Sequence, residues 1–168
     1  MKSTPALILR NCALWVNEDV KVGQMSEVTI PAFKVKTEGL RNAGMVKERQ
    51  VSLGYETDDL KFKMTAMDPA TVTELTGKPG YELPFMITGA LADEDGTMTN
   101  ATLYLRGFMK SFDFGTWKPG DKAESEYEFV WHYFKLDIGG QTRVEADDFD
   151  VSINGVSQTG DIRAALLL

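Results

Sequence analysis

The sequence predicts a mainly β fold of antiparallel strands. Three observations carry this. Apolar residues recur at every second position in several segments, the period of a strand with one buried and one wet face. Turn residues punctuate these segments at short intervals. Only one segment carries both the start and the stop signal of a helix. With 168 residues the chain is expected to form one domain, 1–168, with a sizeable core and no need of a covalent staple. A compact monomer of this mass leaves about 8,000 Å² accessible to solvent.

Residues 7–16 are apolar and suited to a strand, and Asn17-Glu18-Asp19 turns the chain. Val20, Val22, Val28 and Ile30 continue the pattern to Pro31. From 59 to 67 the alternation is clean, with Leu60, Phe62 and Met64 on one face and Lys61, Lys63 and Thr65 on the other. Asp68 is a good helix N-cap, Pro69 suits the first helical position, and Gly77 ends the segment just past Leu75. Leu83, Phe85, Ile87 and Leu91 fall on one face of the next strand, and Asp93-Glu94-Asp95-Gly96 is a hairpin turn. Leu103, Leu105 and Met109 follow, with Tyr104 and Arg106 opposite. Lys118-Pro119-Gly120-Asp121 turns again, because Pro fixes φ and Gly supplies a positive one.

Residues 123–138 are the longest predicted strand. Tyr127, Phe129, Trp131 and Tyr133 make one face aromatic. The other face carries Glu124, Glu126 and Glu128, then switches to Val130, His132, Phe134 and Leu136. Its second face therefore meets two environments: the strand either leaves the cover of the sheet or turns its far half to a partner or a channel. The stretch 160–168 suits a short helix or an edge strand, and periodicity does not decide between them.

One segment does not fit a compact monomer. Residues 34–50 show neither period, and Gly39 and Gly44 interrupt them. A patternless stretch longer than about 12–15 residues is uncommon inside a domain and is usually functional or disordered. Val35, Leu40, Met45 and Val46 argue against disorder. Lys34, Lys36, Arg41, Lys47 and Arg49 face only Glu38 and Glu48, a net +3, which leaves −10 on the rest of a chain of net charge −7. Residues 144–161 hold Glu145, Asp147, Asp148, Asp150 and Asp161 with no Lys or Arg. A basic arm on an acidic body is what a chain needs to bind a copy of itself head to tail. The plainer reading is a solvated loop.

The chemistry of common sites is missing. A net acidic chain makes a poor sequence-independent binder of nucleic acid and is repelled by anionic membranes. The one cysteine, Cys12, allows no intrachain disulfide and no metal knuckle, and reads as a small buried filler. The one histidine, His132, sits among aromatic strand residues and reads as structural. There is no Walker loop and no nucleophile elbow, and Asp147, Asp148 and Asp150 read as a solvated acidic face rather than a cation site. The apolar run 6–9 is stopped by Arg10, too short for a signal peptide or a membrane span, so a cytosol-like compartment and no membrane anchor are expected. No catalysis, cofactor or metal is expected.

The residues resemble a family. Lys36-Thr37-Glu38-x-x-Arg41-x-Ala43-Gly44-Met45, then Val51-x-Leu53-Gly54-Tyr55-Glu56, carry the densest part of the likeness. Leu105-Arg106-Gly107, the run from Gly115 through Trp117 to Lys122, Ile153-Asn154-Gly155-Val156 and Arg163-Ala164-Ala165-Leu166 extend it nearly end to end. The chain resembles the major tail tube proteins of contractile-tailed phages, a group that includes R-type pyocin tubes. Ser157 and the closing Leu166-Leu167-Leu168 depart from the family pattern.

The resemblance implies a β-sandwich or partial barrel of two packed antiparallel sheets, with one short flanking helix and a long extended arm loop. It implies rings of six copies stacked into a tube, with segment 34–56 reaching the neighbouring ring and Lys34, Lys36, Glu38, Arg41, Gly44, Met45, Lys47 and Arg49 as its contact residues. It implies a virion component made in the host cytoplasm, surrounded by a tail sheath protein, through which DNA passes without specific binding. Either Glu124, Glu126 and Glu128 or Asp147, Asp148 and Asp150 would then form an acidic lumen or a partner face, since a wall that repels phosphate lets DNA slide. The rival readings are the tube of a pyocin or a type VI secretion-like particle, a small cytosolic barrel with the aromatic row lining a ligand pocket, and a glycan-active enzyme using a carboxylate pair.

Overall fold

The computed structural model describes residues 4–168, so Met1-Lys2-Ser3 of the N-terminal reading lie outside the described residues. β1 (Ile8–Val16) enters β2 (Asp19–Val20) through Asn17 and Glu18, at φ 53° and 75°. Two residues in the left-handed region match the twist of the strands that they join. β3 (Met25–Thr29) follows, and β4 (Phe33–Leu40) and β5 (Arg49–Thr57) leave the body together. β6 (Leu60–Met64) returns to it and leads into α1 (Pro69–Leu75). β7 (Leu83–Ala92), β8 (Met98–Asp113), β9 (Ser125–Ile138) and β10 (Gln141–Ala146) form a meander, closed by β11 (Val151–Ile153), β12 (Val156–Ser157) and α2 (Gly160–Ala165). The undecided stretch at the C-terminus is thus helical.

The antiparallel, mainly β class is as expected. Ten strands share one sheet in the order β12-β11-β10-β9-β8-β7-β1-β2, which branches at β9. The first half of β9 pairs with β6, from Ser125↔Met64 to Phe129↔Leu60, and β6 carries β3. Its second half pairs with β10, from Phe134↔Ala146 to Ile138↔Gln141. One strand thereby serves both halves of the barrel-like body, and the second sheet is the separate β4-β5 pair. β8 has 16 residues against 14 in β9, so the strand expected to be longest is second.

The core lies where β1, β6, β7, β8 and β9 turn their apolar faces together. Leu14, Leu60, Phe62, Phe85, Leu105 and Phe129 are almost completely buried, as the period-two pattern predicts for those segments. Phe85 packs on Phe129 at 4.4 Å between ring centroids, and Phe62 stacks on Tyr127 at 5.1 Å. α1 follows its signals: the Asp68 carboxylate accepts from the Thr71 N–H at 3.0 Å, and Leu75 is fully buried. Those hydrogen bonds from Thr71 hold the Asp68 carboxyl below the usual range. Cys12 differs from expectation, and Lys21 adds a buried charge. Cys12 is half-buried rather than a core filler, and Lys21 is buried, its ammonium 3.0 Å from Glu74 Oε2.

The face switch in β9 has a local cause. Gly107 pairs with Trp131 and Arg106 with Tyr133, so His132 is the extra residue of a β-bulge. Before the bulge the inward positions are Tyr127 and Phe129; after it the inward position is Phe134. The aromatic row is therefore not one face, because the bulge turns Tyr133 outward. A Cβ on Gly107 would lie 1.8 Å from the Val130 carbonyl oxygen, so the bulge needs a glycine across from it. Leu105-Arg106-Gly107 marks that bulge.

Candidate functional site

The patternless basic segment is mostly strand rather than loop. β4 and β5 pair from Phe33↔Thr57 to Leu40↔Arg49, and only residues 41–48 connect them. Period two fails over 34–50 because neither face of β4 is buried: Val35 is 53% exposed and Leu40 46%. The ladder slips between Lys36↔Gly54 and Thr37↔Ser52, which leaves Leu53 as a bulge residue and places Gly54 at φ 125°. The Leu53-Gly54 pair is thus a bend in the arm. At the tip the Met45 N–H donates to the Asn42 carbonyl at 3.1 Å, and the half-buried Met45 side chain folds back so that its Sδ accepts from the Asn42 N–H. Val46 stands 94% exposed.

The base of the arm is anchored and its tip is free. Phe33 packs against Trp131 at 5.6 Å and Phe134 at 5.0 Å. The Trp131 indole N–H donates to the Asp58 carbonyl at 3.0 Å, and Lys34 Nζ lies 2.9 Å from Asp58 Oδ2. Lys36 reaches Glu56 at 3.7 Å. Arg41, Lys47 and Arg49 have no carboxylate within 4.0 Å among the described residues. Positive charge is neutralised near the body and left open toward the tip. Of the arm residues singled out in the sequence, Lys34 and Lys36 serve the base, Gly44 and Met45 shape the tip, and Arg41, Lys47 and Arg49 carry its open charge. Glu38 pairs across the ladder with Val51.

The two acidic groups stand in different surroundings. The β6-β9 register sets Lys63 beside Glu126 and Lys61 beside Glu128, with Nζ–O distances of 3.7 and 4.0 Å. Lys63 also meets Glu27 at 3.4 Å, and Lys110 meets Asp59 at 2.8 Å and Glu128 at 3.6 Å. Glu27 and Asp59 respectively raise the Lys63 and Lys110 ammonium groups above the usual lysine range. Glu124 accepts from the Ser26 hydroxyl at 3.4 Å. This face is a mixed-charge lattice with more carboxylates than lysines.

Asp147, Asp148 and Asp150 form the β10-β11 turn. Asp147 Oδ1 accepts from the N–H groups of Phe149 and Asp150, at 2.7 and 2.8 Å. Asp150 accepts from the hydroxyls of Ser157, at 2.6 Å, and Thr159, which hold its carboxyl below the usual range. Asp150 thereby ties the β11-β12 hairpin to the start of α2. Asp148 lies 3.8 Å from His132 Nδ1. Among the described residues no group of three His, Cys, Asp or Glu is arranged to hold a metal ion, and no helix is long and apolar enough to cross a membrane. Sequence reasoning missed Phe33, Asp58 and Trp131 as the arm's anchor. Their spacing along the chain carries no signal, because the contact joins residues 73 positions apart.

Comparison with known proteins places this geometry. A family model described as "Phage tail tube protein FII" matches residues 6–166. The tail tube protein of Escherichia phage P2 is 30% identical over 142 residues, covering 81% of this chain and 83% of that protein. The major tail tube protein of Serratia phage KSP20 is 28% identical over 141 residues, covering 83% and 81%. Among solved structures, a chain of the anti-feeding prophage baseplate, from a 6-fold symmetrised reconstruction, shares the fold with a TM-score of 0.55 at 14% identity, over 81% of this chain and 97% of that one. The chain belongs to the phage tail tube family, a structural family of the virion, as its arm signature implied.

Proposed function

We propose that copies of this chain close into rings of six and stack into the inner tube of a contractile tail, through which DNA passes. The observation that carries this reading is the β4-β5 hairpin, which leaves the body and, among the described residues, packs on little beyond its base. An isolated two-stranded hairpin is marginal in water, so its stability has to come from another copy. The surface supports this. The chain exposes 11628 Å², roughly 3,500 Å² more than a compact monomer of its mass. A standard protein interface covers about 800 Å² on each partner, so the excess matches several interfaces.

The carboxylate-rich lattice of Glu124, Glu126 and Glu128 suits the lumen. Its lysines are occupied by neighbouring acids, which leaves no open cation to grip phosphate. A sheath protein would surround the tube, and synthesis would be in the host cytoplasm. The aromatic row lends nothing to a ligand barrel, because Phe129 is packed in the core against Phe85.

Electron microscopy of the concentrated protein tests the assembly. Hollow rods of uniform diameter are expected from the native chain. Replacing residues 38–46 by a short Gly/Ser linker should leave a folded domain and remove the rods. A native protein that stays monomeric at high concentration would overturn the reading. The rods should bind duplex DNA no better than an acidic control at physiological salt; a steep salt-dependent affinity would contradict the lumen assignment.

A further inference from the structure

The tip of the arm and the groove at its base match in charge and in kind, and one chain cannot bring them together. Eight paired residues at about 3.4 Å each hold the tip roughly 25 Å from the body. The groove, about 320 Å³, runs between the arm base and the β10-β11 turn and is walled by Phe33, Tyr55, Trp131 and Phe149. Asp147 and Asp148 stand on its rim, and Phe149 is 77% exposed. Asp150 and the Asp147 Oδ1 are engaged in fixing the turn, so the rim is preformed. The tip presents the exposed Val46 beside Lys47, with Arg41 across the turn; among the described residues neither cation has a carboxylate within 4.0 Å. The tip is a basic, apolar finger and the groove an acidic, aromatic slot. The acidic turn at Asp93-Glu94-Asp95 offers no such slot: Asp93 is used by the N–H groups of Asp95 and Thr97, and the neighbouring groove is lined by small and aliphatic residues such as Ala13, Thr88 and Met98.

We infer that this groove is the receptor for the arm tip of a second copy, with Val46 against Phe149 and with Arg41 and Lys47 against Asp147 and Asp148. The inference rests on the reading of the arm as an element that joins copies. Tip and groove are different surfaces, so each contact leaves a free tip at one end and a free groove at the other. Such a heterologous contact propagates, as stacked rings require.

Two experiments test it. In a Cys12→Ser background, Val46→Cys with Phe149→Cys should give, on mild oxidation of assembled rods, a ladder of disulfide-linked chains; either single cysteine variant should give no ladder. Separately, Lys47→Glu and Asp148→Lys should each raise the concentration needed for rods by about tenfold or more, and the double variant should restore it, because the reversal recreates the pair. Asp148→Lys leaves the turn's own hydrogen bonds in place, so a folding defect is not expected and circular dichroism checks it. Rods that form normally without cross-linking, or charge reversals that do not rescue each other, overturn the groove as receptor while leaving the tube intact. A native chain that makes no rods at all overturns the reading beneath it instead.

Discussion

β6 and β5 are both antiparallel strands, yet they live in opposite environments. In β6, Leu60, Phe62 and Met64 are buried and alternate with the lysines that meet the β9 glutamates. In β5, Val51, Leu53 and Tyr55 alternate along the chain, but the bulge at Leu53 interrupts the faces and all three remain exposed. Hydrogen-bonded strand geometry is common to both; burial is not. The body is a strand set completed by its own core. On the proposed reading the arm is a strand pair completed by another copy. The consequence is that substitutions in the two regions should be felt in different experiments.

The largest expected effect lies in the body. Phe129→Ala removes a fully buried ring packed against Phe85 and should cost about 3–5 kcal/mol, lowering the melting temperature of the unassembled chain by about 10 °C. Leu53→Ala in the arm should change that melting temperature hardly at all, within about 0.5 kcal/mol, and should instead raise the concentration needed for assembly. Thermal melting and sedimentation on the same two variants break the comparison if both move together.

Gly107→Ala should come next. Its Cβ would meet the Val130 carbonyl at 1.8 Å, so the β9 bulge has to reopen, at about 1–3 kcal/mol. Melting should drop without any preferential loss of assembly. Trp131→Ala sits at the boundary. It removes the aromatic contact with Phe33 and the hydrogen bond to Asp58, so the arm loses its aim while most of the core remains. Assembly should suffer more than melting, and the reverse result would return Trp131 to the core.

The smallest effect is electrostatic. Hydroxyl groups of Ser157 and Thr159 lower the Asp150 carboxyl, so its contribution is present above the unfolded value of about 3.9 and is lost as pH falls through the lower, folded value. The melting advantage of the native chain over Asp150→Asn should therefore hold at neutral pH and fade in that acidic window. An advantage that persists below it would place the effect in packing.

The same contrast explains what could be read from the residues. The strands of the body were legible because one face is buried, and α1 because Asp68 and Pro69 mark its start. The arm's charge and its lack of fit to a compact monomer were legible too. Its strand structure over 34–50 was not, since period two is a signature of one-sided burial rather than of the strand itself. The division of the acidic residues between a lysine-laced face and a hydroxyl-tied turn was equally hidden, because Lys61, Lys63, Ser157 and Thr159 act through pairing across strands. The bulge at His132 showed only as a switch of face within β9.

Amide hydrogen exchange across residues 34–57, measured below and above the assembly concentration, tests most directly that the arm is completed by another copy. The account predicts rapid exchange of the arm amides in the unassembled chain, strong protection in rods, and unchanged protection of β6, β7 and β9 in both. Arm amides already as protected as those of β6 in the isolated chain would contradict it.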